Sequence, residues 1–183
     1  MIPDDLIILG TWIKVVEGSD IAECAKRLMQ FGERFKTQKK VYLLQAAGAN
    51  LGYTFHWDLH GPYSAELGES IGFIADPAYQ QEIADRIASS DLSESGYRKL
   101  ERARELWRLP AALPGAREES WLEALASIHF LHHLGASGSE PEKLEDEVVK
   151  KKPHLPRDLV RAARGRLAEL HLLEPSPHAA VGA

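Results

Sequence analysis

Three polar side chains on one predicted strand have the types and spacing of metal ligands. His56, Asp58 and His60 alternate with large apolar residues, so two imidazoles and one carboxylate would project from the same strand face. A half-buried strand also places its ordinary polar residues on such a face. Because this second explanation needs no ligand, we predict no metal site and no cofactor. The three residues are the candidates if a metal does bind.

A histidine pair on a predicted helix has the spacing of another kind of zinc site. His129 and His133 are four residues apart and share a helix face. Phe130 occupies the position at which zinc hydrolases carry their glutamate base. The lone cysteine, Cys24, falls on the apolar stripe of another helix, and the sequence has no nucleophile elbow or phosphate-binding glycine loop. These residues favour a non-enzymatic protein but do not exclude an enzyme.

Basic residues concentrate near the C-terminus although the whole chain is acidic. Over residues 150–166, seven basic residues stand against the single acid Asp158. Arg157, Arg161 and Arg164 share one face of a predicted helix, where they would contact a phosphate backbone. The acidic residues that precede the helix would neutralise the same stripe within the fold. The candidate nucleic-acid ligands are Lys150, Lys151, Lys152, Arg157, Arg161 and Arg164.

A second basic segment begins the third predicted helix. It contains Arg34, Lys36, Lys39 and Lys40, and a strand and a turn follow, which gives the outline of a winged-helix unit. The apolar run Val41–Leu44 surrounds that helix, so its body should be buried. A helix with so little exposed face would read DNA bases poorly.

Hydrophobic periodicity predicts helices along most of the chain and one strand at residues 53–59. Gly61 and Pro62 are expected to end the strand, whose partner is either residues 172–174 or the residues flanking Gly52. Turns are predicted at residues 110–115 and 135–139. The predicted helices are residues 4–17, Asp20 through Phe35, Thr37 to Gly48, one capped by Ser64, 79–88, 95–109, 118–134, 140–151 and 157–172.

Composition and charge describe an ordinary globular chain. Its 183 residues correspond to one domain, and 44% hydrophobic with 27% charged residues excludes the disordered and disulfide-scaffold classes. The net charge of -5 argues against a protein whose whole surface binds nucleic acid. One cysteine allows no internal disulfide, and Asp4, Asp5 and Lys14 disfavour a signal peptide or a membrane span. We predict a cytoplasmic protein with one helical domain over residues 1–174 and a frayed tail over residues 175–183.

Three short strings resemble a known group of proteins. Residues 36–44 (KTQKKVYLL), 53–57 (YTFHW) and 61–64 (GPYS) resemble small prokaryotic proteins of the YwgA-like type and, more distantly, the Panacea domain of SocA-like antitoxins. The resemblance implies a compact helical fold with a small β element. For the Panacea branch it also implies antitoxin or adaptor work through protein contacts, and it carries over no catalytic residue. The same residues also have structural uses, since Gly61 and Pro62 form a turn and Ser64 caps a helix.

Together these patterns predict a mainly α fold with a small β-ribbon, winged-helix-like in outline. We expect a non-enzymatic interaction or regulatory module with a protein partner. Its expected contact residues are Lys36, Lys39, His60 and Tyr63. The alternative is a nucleic-acid-binding transcriptional regulator that uses the basic C-terminal helix. No membrane contact is expected.

Overall fold

The computed structural model describes residues 4–18, 20–113, 115–135 and 140–174. Within these residues the fold is mainly helical, with nine helices and one small antiparallel ribbon of two strands. The predicted tail and most of the predicted turn at 135–139 lie outside the described residues. The elements are α1 (Asp4–Glu17), α2 (Ile21–Leu28), α3 (Phe31–Ala46), β1 (His56–Asp58), β2 (Gly61–Tyr63), α4 (Ala65–Ala75), α5 (Gln80–Ala88), α6 (Glu94–Trp107), α7 (Glu118–His133), α8 (Pro141–Lys151) and α9 (Arg157–Glu169).

The chain divides into two compact units. Unit 1 consists of Met1–His56 and Tyr63–Arg104, and unit 2 consists of Trp57–Pro62 and Glu105–Ala183. The prediction of a single domain over residues 1–174 stays a prediction, and each unit is described by itself.

Unit 1 is built around a core to which α1, α2, α4 and α5 each contribute an apolar stripe. Leu9, Leu28 and Ile74 are fully buried in this core. Cys24 is buried among them, which confirms its predicted place on the apolar stripe of α2. The predicted cap of α2 is also confirmed, because Asp20 accepts a hydrogen bond of 2.9 Å from the backbone N–H of Ala22.

The predicted boundary between the second and third helices is wrong. The apolar spacing predicted one helix through Phe35 and a new start at Thr37, whereas α2 ends at Leu28 and α3 begins at Phe31. Gln30 has an extended backbone, with φ -86° and ψ 135°, and this residue interrupts the helix. Phe31 is exposed, so its place in the apolar spacing was coincidental.

The strand partner was also predicted wrongly. β1 pairs with β2 across the two-residue turn of Leu59 and His60, and neither residues 172–174 nor the flanks of Gly52 are involved. Gly61 has φ +82°, a left-handed conformation that glycine adopts without the cost a side chain would add. The glycine therefore allows the chain to turn back, whereas the sequence pattern indicated only that the strand stopped there.

Two glutamines of α3 hold the chain that follows that helix. The Gln38 amide donates to the backbone carbonyl of Ser64 at 2.9 Å and accepts from the Ser64 N–H at 3.1 Å. Gln45 makes the same pair of bonds to Tyr53, at 2.9 and 3.0 Å. Ser64 Oγ in turn accepts from Leu67 N at 3.2 Å, which confirms the predicted cap of α4. Gln38 and Ser64, which lie in two of the strings on which the predicted resemblance is based, therefore have structural roles in this fold.

Unit 2 has its core where α7 packs against α8 and α9. Trp121, Leu125 and Ile128 of α7 are fully buried, as are Val148 of α8 and Val160 of α9. The predicted helix positions in this part of the chain are confirmed to within a few residues. α7 is buried along most of its length, and its buried residues include one acid.

Candidate functional site

The acid inside α7 is Glu123, whose side chain is only 6% exposed. So little exposure leaves water almost no access to the carboxylate. A buried charge needs a partner of opposite sign and hydrogen bonds to its remaining atoms. Lys152 provides the opposite charge, with its Nζ 3.4 Å from Glu123 Oε1.

Lys152 also holds the turn of the β-ribbon. It follows the last residue of α8, and its side chain is 1% exposed. Its Nζ donates to the backbone carbonyl of Asp58 at 3.3 Å and to the carbonyl of Leu59. Burial lowers the pKa of the Lys152 ammonium, although the nearby Glu123 carboxylate acts in the opposite direction. One lysine thus joins the acid of α7 to the two carbonyls at the start of the turn.

An aromatic side chain covers the same lysine. The Lys152 Nζ lies 4.9 Å from the ring centroid of Trp57, close enough for a cation–π interaction. Trp57 in turn packs against Phe130 of α7, with 6.0 Å between the ring centroids. The ammonium is therefore enclosed by an aromatic face, a carboxylate and two carbonyls, all within unit 2.

Two half-exposed imidazoles flank the buried carboxylate. His154 Nε2 donates to Glu123 Oε2 at 2.9 Å, and His60 Nδ1 lies 4.0 Å from Glu123 Oε1. Their side chains are 50% and 48% exposed. When the neutral His154 ring donates through Nε2, its Nδ1 remains a hydrogen-bond acceptor. We call Glu123, Lys152, His154 and His60 the turn cluster.

Leu59 stands at the turn that this cluster holds. It is 77% exposed, the highest value among the exposed large apolar residues of the described chain. The strand pattern predicted Leu59 on the inner face with Tyr53, Phe55 and Trp57, and this prediction is wrong for Leu59 alone, because the turn starts there. The large apolar side chain of Leu59 is thus exposed to solvent. Its backbone is restrained, because Lys152 of the buried ion pair bonds to the turn carbonyls.

The four predicted partner-binding residues have different environments in the structure. Lys36 is paired with Glu33 at 2.7 Å, and Lys39 is 1% exposed with its Nζ 5.1 Å from the ring centroid of Phe35. Burial excludes Lys39 from a surface contact, which corrects that part of the prediction. Tyr63 is exposed and, like the two lysines, belongs to unit 1. His60 belongs to unit 2, where it is part of the turn cluster.

The arginine stripe of α9 pairs with the acids of α8. Arg157 bonds Asp146 at 2.5 Å, while Arg161 and Arg164 lie 3.5 and 2.7 Å from opposite oxygens of Glu145. Glu145 is itself buried, so its two arginines match a charge that water cannot reach. This is the internal neutralisation that the sequence left open as an alternative.

Two of the three candidate lysines beside this stripe remain available to a ligand. Lys150 and Lys151 are exposed, and Lys151 lies 3.7 Å from Glu147. Lys152, which we had grouped with them, is buried in the turn cluster, and burial removes it from the nucleic-acid candidates. A run of three lysines gave no sign that the third one points inward.

The part of the chain that the structure describes contains no set of residues arranged as metal ligands. No group of three or more His, Cys, Asp or Glu residues there is arranged to hold an ion. His56 and Asp58 lie exposed on β1, and His60 follows in the turn beside Glu123.

The histidines at the end of α7 pack against one another. The ring centroids of His129 and His133 are 4.3 Å apart, and His133 Nε2 donates to the Leu172 carbonyl at 3.3 Å. Burial, with smaller contributions from His133 and His132, lowers the pKa of His129 to about 3. Burial also lowers the pKa of His133. The folded chain therefore keeps the His129 ring neutral, whereas the unfolded chain takes up a proton there below about pH 6.5.

Comparison of the chain with protein-family models, curated proteins and solved structures found no match. The resemblance to YwgA-like and Panacea proteins therefore stays a prediction. None of the helices within the described ranges is long and apolar enough to cross a membrane.

The sequence contained one usable signal for the turn cluster that we did not follow. Glu123 interrupts the apolar run Trp121–Leu131, and an acid at such a position must find a cation or a hydrogen-bond donor. Lys152 was the nearest cation in the fold but lies 29 positions along the chain, so only the tertiary structure could pair the two. His154 had no distinguishing feature in the sequence.

Proposed function

We propose that this protein is a non-enzymatic protein-interaction or regulatory module that contacts its partner through the turn at Leu59 and His60. The observation that carries the proposal is Leu59, which is 77% exposed on a turn whose carbonyls are bonded to the buried Lys152. At 77% exposure Leu59 buries little apolar area within the fold, and its restrained backbone would lose little further entropy when a partner binds. Leu59 is the anchor of the proposed interface, and His60 and His154 supply polar contacts beside it.

The turn cluster supports binding better than catalysis. Glu123 and Lys152 form a 3.4 Å ion pair, their hydrogen bonds go to other parts of the chain itself, and their side chains are 6% and 1% exposed. A catalytic acid, base or nucleophile must reach a substrate atom within hydrogen-bond distance. The groups of the cluster that reach solvent are imidazoles, which are well suited to hydrogen bonds with a partner.

The alternative, a nucleic-acid-binding regulator, has less support. The three arginines of α9 are already paired with Asp146 and Glu145, and Lys152 is buried. Lys150 and Lys151 would still contribute a small electrostatic attraction to phosphate. If the alternative holds, replacing all three arginines of α9 with alanine lowers both the affinity for DNA and its salt dependence.

Three more specific predictions from the sequence are also part of this proposal. We keep the winged-helix-like outline, the antitoxin or adaptor role implied by the resemblance, and a cytoplasmic location. The buried residues Gln38 and Lys39 on α3 favour a protein partner over DNA, because a recognition helix needs an exposed face.

The test is a pull-down of the tagged protein from its host's extract, with and without nuclease. We expect the native protein to retain one other protein at near-equal stoichiometry. The variant Leu59→Asp should not retain it, because a charge replaces the apolar side chain that contacts the partner. Leu134→Asp is the matched control, since Leu134 is also exposed, at 63%, and also belongs to unit 2. Retention that disappears with nuclease supports the nucleic-acid alternative. Retention that both variants keep rules out the turn as the contact surface.

A further inference from the structure

Two large apolar side chains are exposed at the junction of α2 and α3. Met29 is 64% exposed and Phe31 is 70% exposed, and the extended residue Gln30 separates them. Neither side chain belongs to the apolar core of unit 1. Exposed apolar side chains that neighbour one another, rather than standing singly, are typical of a contact surface.

Two exposed cations accompany this apolar pair. Lys26 comes three positions before Met29, and Arg34 comes three positions after Phe31, so each lies about one helical turn away. Neither cation forms an ion pair within the described part of the chain, and the other charges of this segment are paired outside it. We call Lys26, Met29, Phe31 and Arg34 the basic tip.

Unit 1 also carries an exposed aromatic pair at the junction of α4 and α5. Phe73 is 50% exposed and Tyr79 is 41% exposed, and their ring centroids lie 6.0 Å apart. Glu69 precedes Phe73 by about one helical turn, and Glu82 lies in the first turn of α5, after Tyr79. We call Glu69, Phe73, Tyr79 and Glu82 the acidic patch.

The helices that carry the acidic patch do not balance its charge. Both carboxylates of the patch are exposed, and neither forms an ion pair with any residue that the structure describes. α4 contains no lysine or arginine, and the one such residue of α5, Arg86, is paired with Asp4 at 2.6 Å. The acidic patch therefore attracts cations, as the basic tip attracts anions.

We propose that the basic tip of one copy of this chain binds the acidic patch of a second copy. Each surface combines two exposed large apolar side chains with two charges that the fold leaves without an ion pair, and these charges have opposite signs. The thioether and the ring of the tip pack against the two rings of the patch, which is a favourable pairing for both. Neither surface contains Leu59 or a residue of the turn cluster, so the contact is separate from the proposed partner interface.

A second copy of the chain fits both surfaces better than a partner of a single charge does. An anionic lipid surface would attract the tip but repel the patch, and a cationic partner would do the reverse. Every copy of the chain carries both surfaces, so it offers each of them its complement. Four apolar side chains make a small contact, at the weak end of specific interfaces, so we expect association only at high concentration.

The test is sedimentation equilibrium of the full-length chain from micromolar to near-millimolar concentration. We expect the average mass of the native chain to rise with concentration, and to rise less at high salt. The tip variant carries Lys26→Glu with Arg34→Glu, and the patch variant carries Glu69→Lys with Glu82→Lys. Each should weaken the association at least about tenfold, because two surface ion pairs that contribute up to about fivefold each become repulsive.

Mixing the two variants tests the pairing itself. In an equimolar mixture the reversed tip of one chain meets the reversed patch of the other, so the association should return to the native level. Arg98→Glu with Lys143→Glu is the control, because it changes the net charge as the tip variant does but alters two exposed cations outside both surfaces. If a charge variant does not fold, Phe31→Ser at its exposed position should weaken the association instead.

Three results would overturn the proposal. The first is a native chain that stays monomeric at every concentration, including one whose tip binds phosphatidylserine vesicles instead. The second is a mixture of folded variants that associates no better than either variant alone. The third is a control that loses as much association as the tip variant, which would assign the effect to net charge.

Discussion

Removing the buried lysine of the turn cluster tests whether the cluster is as enclosed as the structure indicates. In Lys152→Met the ammonium is lost while the buried Glu123 carboxylate remains. Breaking a buried ion pair by removing one partner costs about 3–5 kcal/mol, because it leaves an uncompensated buried charge. Glu123 keeps its 2.9 Å hydrogen bond from His154, so we expect a loss near the lower end, about 3 kcal/mol.

The double variant Lys152→Met with Glu123→Leu separates the charge from the packing. Replacing both members of a buried pair with apolar residues is often neutral. We therefore expect the double variant to recover most of the stability that the single variant loses. Both variants lack the donor to the carbonyls of Asp58 and Leu59, so both should change the ¹⁵N chemical shifts of Leu59 and His60, whose nitrogens are joined to those carbonyls.

The assay is urea unfolding followed by circular dichroism, with the ¹⁵N chemical shifts of Leu59 and His60 measured by NMR. Lys143→Met is the control, since Lys143 is exposed and its pair with Glu140 is a surface pair that contributes at most about 1 kcal/mol. A loss below about 1 kcal/mol for Lys152→Met would show that water solvates Glu123. A double variant as unstable as the single one would likewise refute the argument from buried charge.

Three further predictions follow from other contacts. Lowering the pH from 7.5 to 5 should reduce the free energy of unfolding by about 2 kcal/mol, because the His129 ring takes up a proton in the unfolded chain but not in the folded one. His129→Gln should remove this cost and His132→Gln should not, as urea unfolding at the two pH values will show. Gln38→Leu leaves a buried N–H and a buried carbonyl without partners and should cost about 2–4 kcal/mol, and Gln38→Glu should cost at least as much, because its second carboxylate oxygen would face the Ser64 carbonyl. In Gly68→Ala the new Cβ would lie 2.7 Å from Oη of the exposed Tyr63, so this contact should offset part of the about 1 kcal/mol that alanine gains over glycine in a helix, and Tyr63→Phe should restore that part. A thermal-unfolding series in which the second change restores nothing would refute this last contact.

The helices were predictable because their apolar residues recur at the helical period and because Asp20 and Ser64 cap them. The ribbon was predictable only in part. Its first strand alternates as far as Trp57, but the pattern could not show that the chain turns back at once, since Gly61 and Pro62 suit a strand end as well as a tight turn. For that reason the sequence did not predict that β1 pairs with β2.

The turn cluster was less predictable than the fold, because its members are far apart in sequence and have ordinary types. Lys152 belongs to a run of three lysines that is typical of an exposed surface, and only its packing against Trp57 and Glu123 reverses that expectation. The arginines of α9 show the opposite case. The acids that neutralise them lie 11 to 19 residues upstream, on the preceding predicted helix, so the opposite charges of two successive helices allowed the pairing to be anticipated.

The most direct test of the proposed function is a photo-crosslink from the turn itself. A photo-reactive phenylalanine analogue is placed at position 59 in cells of the host, and the same analogue at position 134 serves as the control. The proposed interface predicts one protein crosslinked from position 59 and not from position 134, and that crosslink should weaken in Lys152→Met, whose turn is no longer restrained. The same products from both positions, or none from position 59 while the tagged protein still retains a partner, would contradict a contact at Leu59.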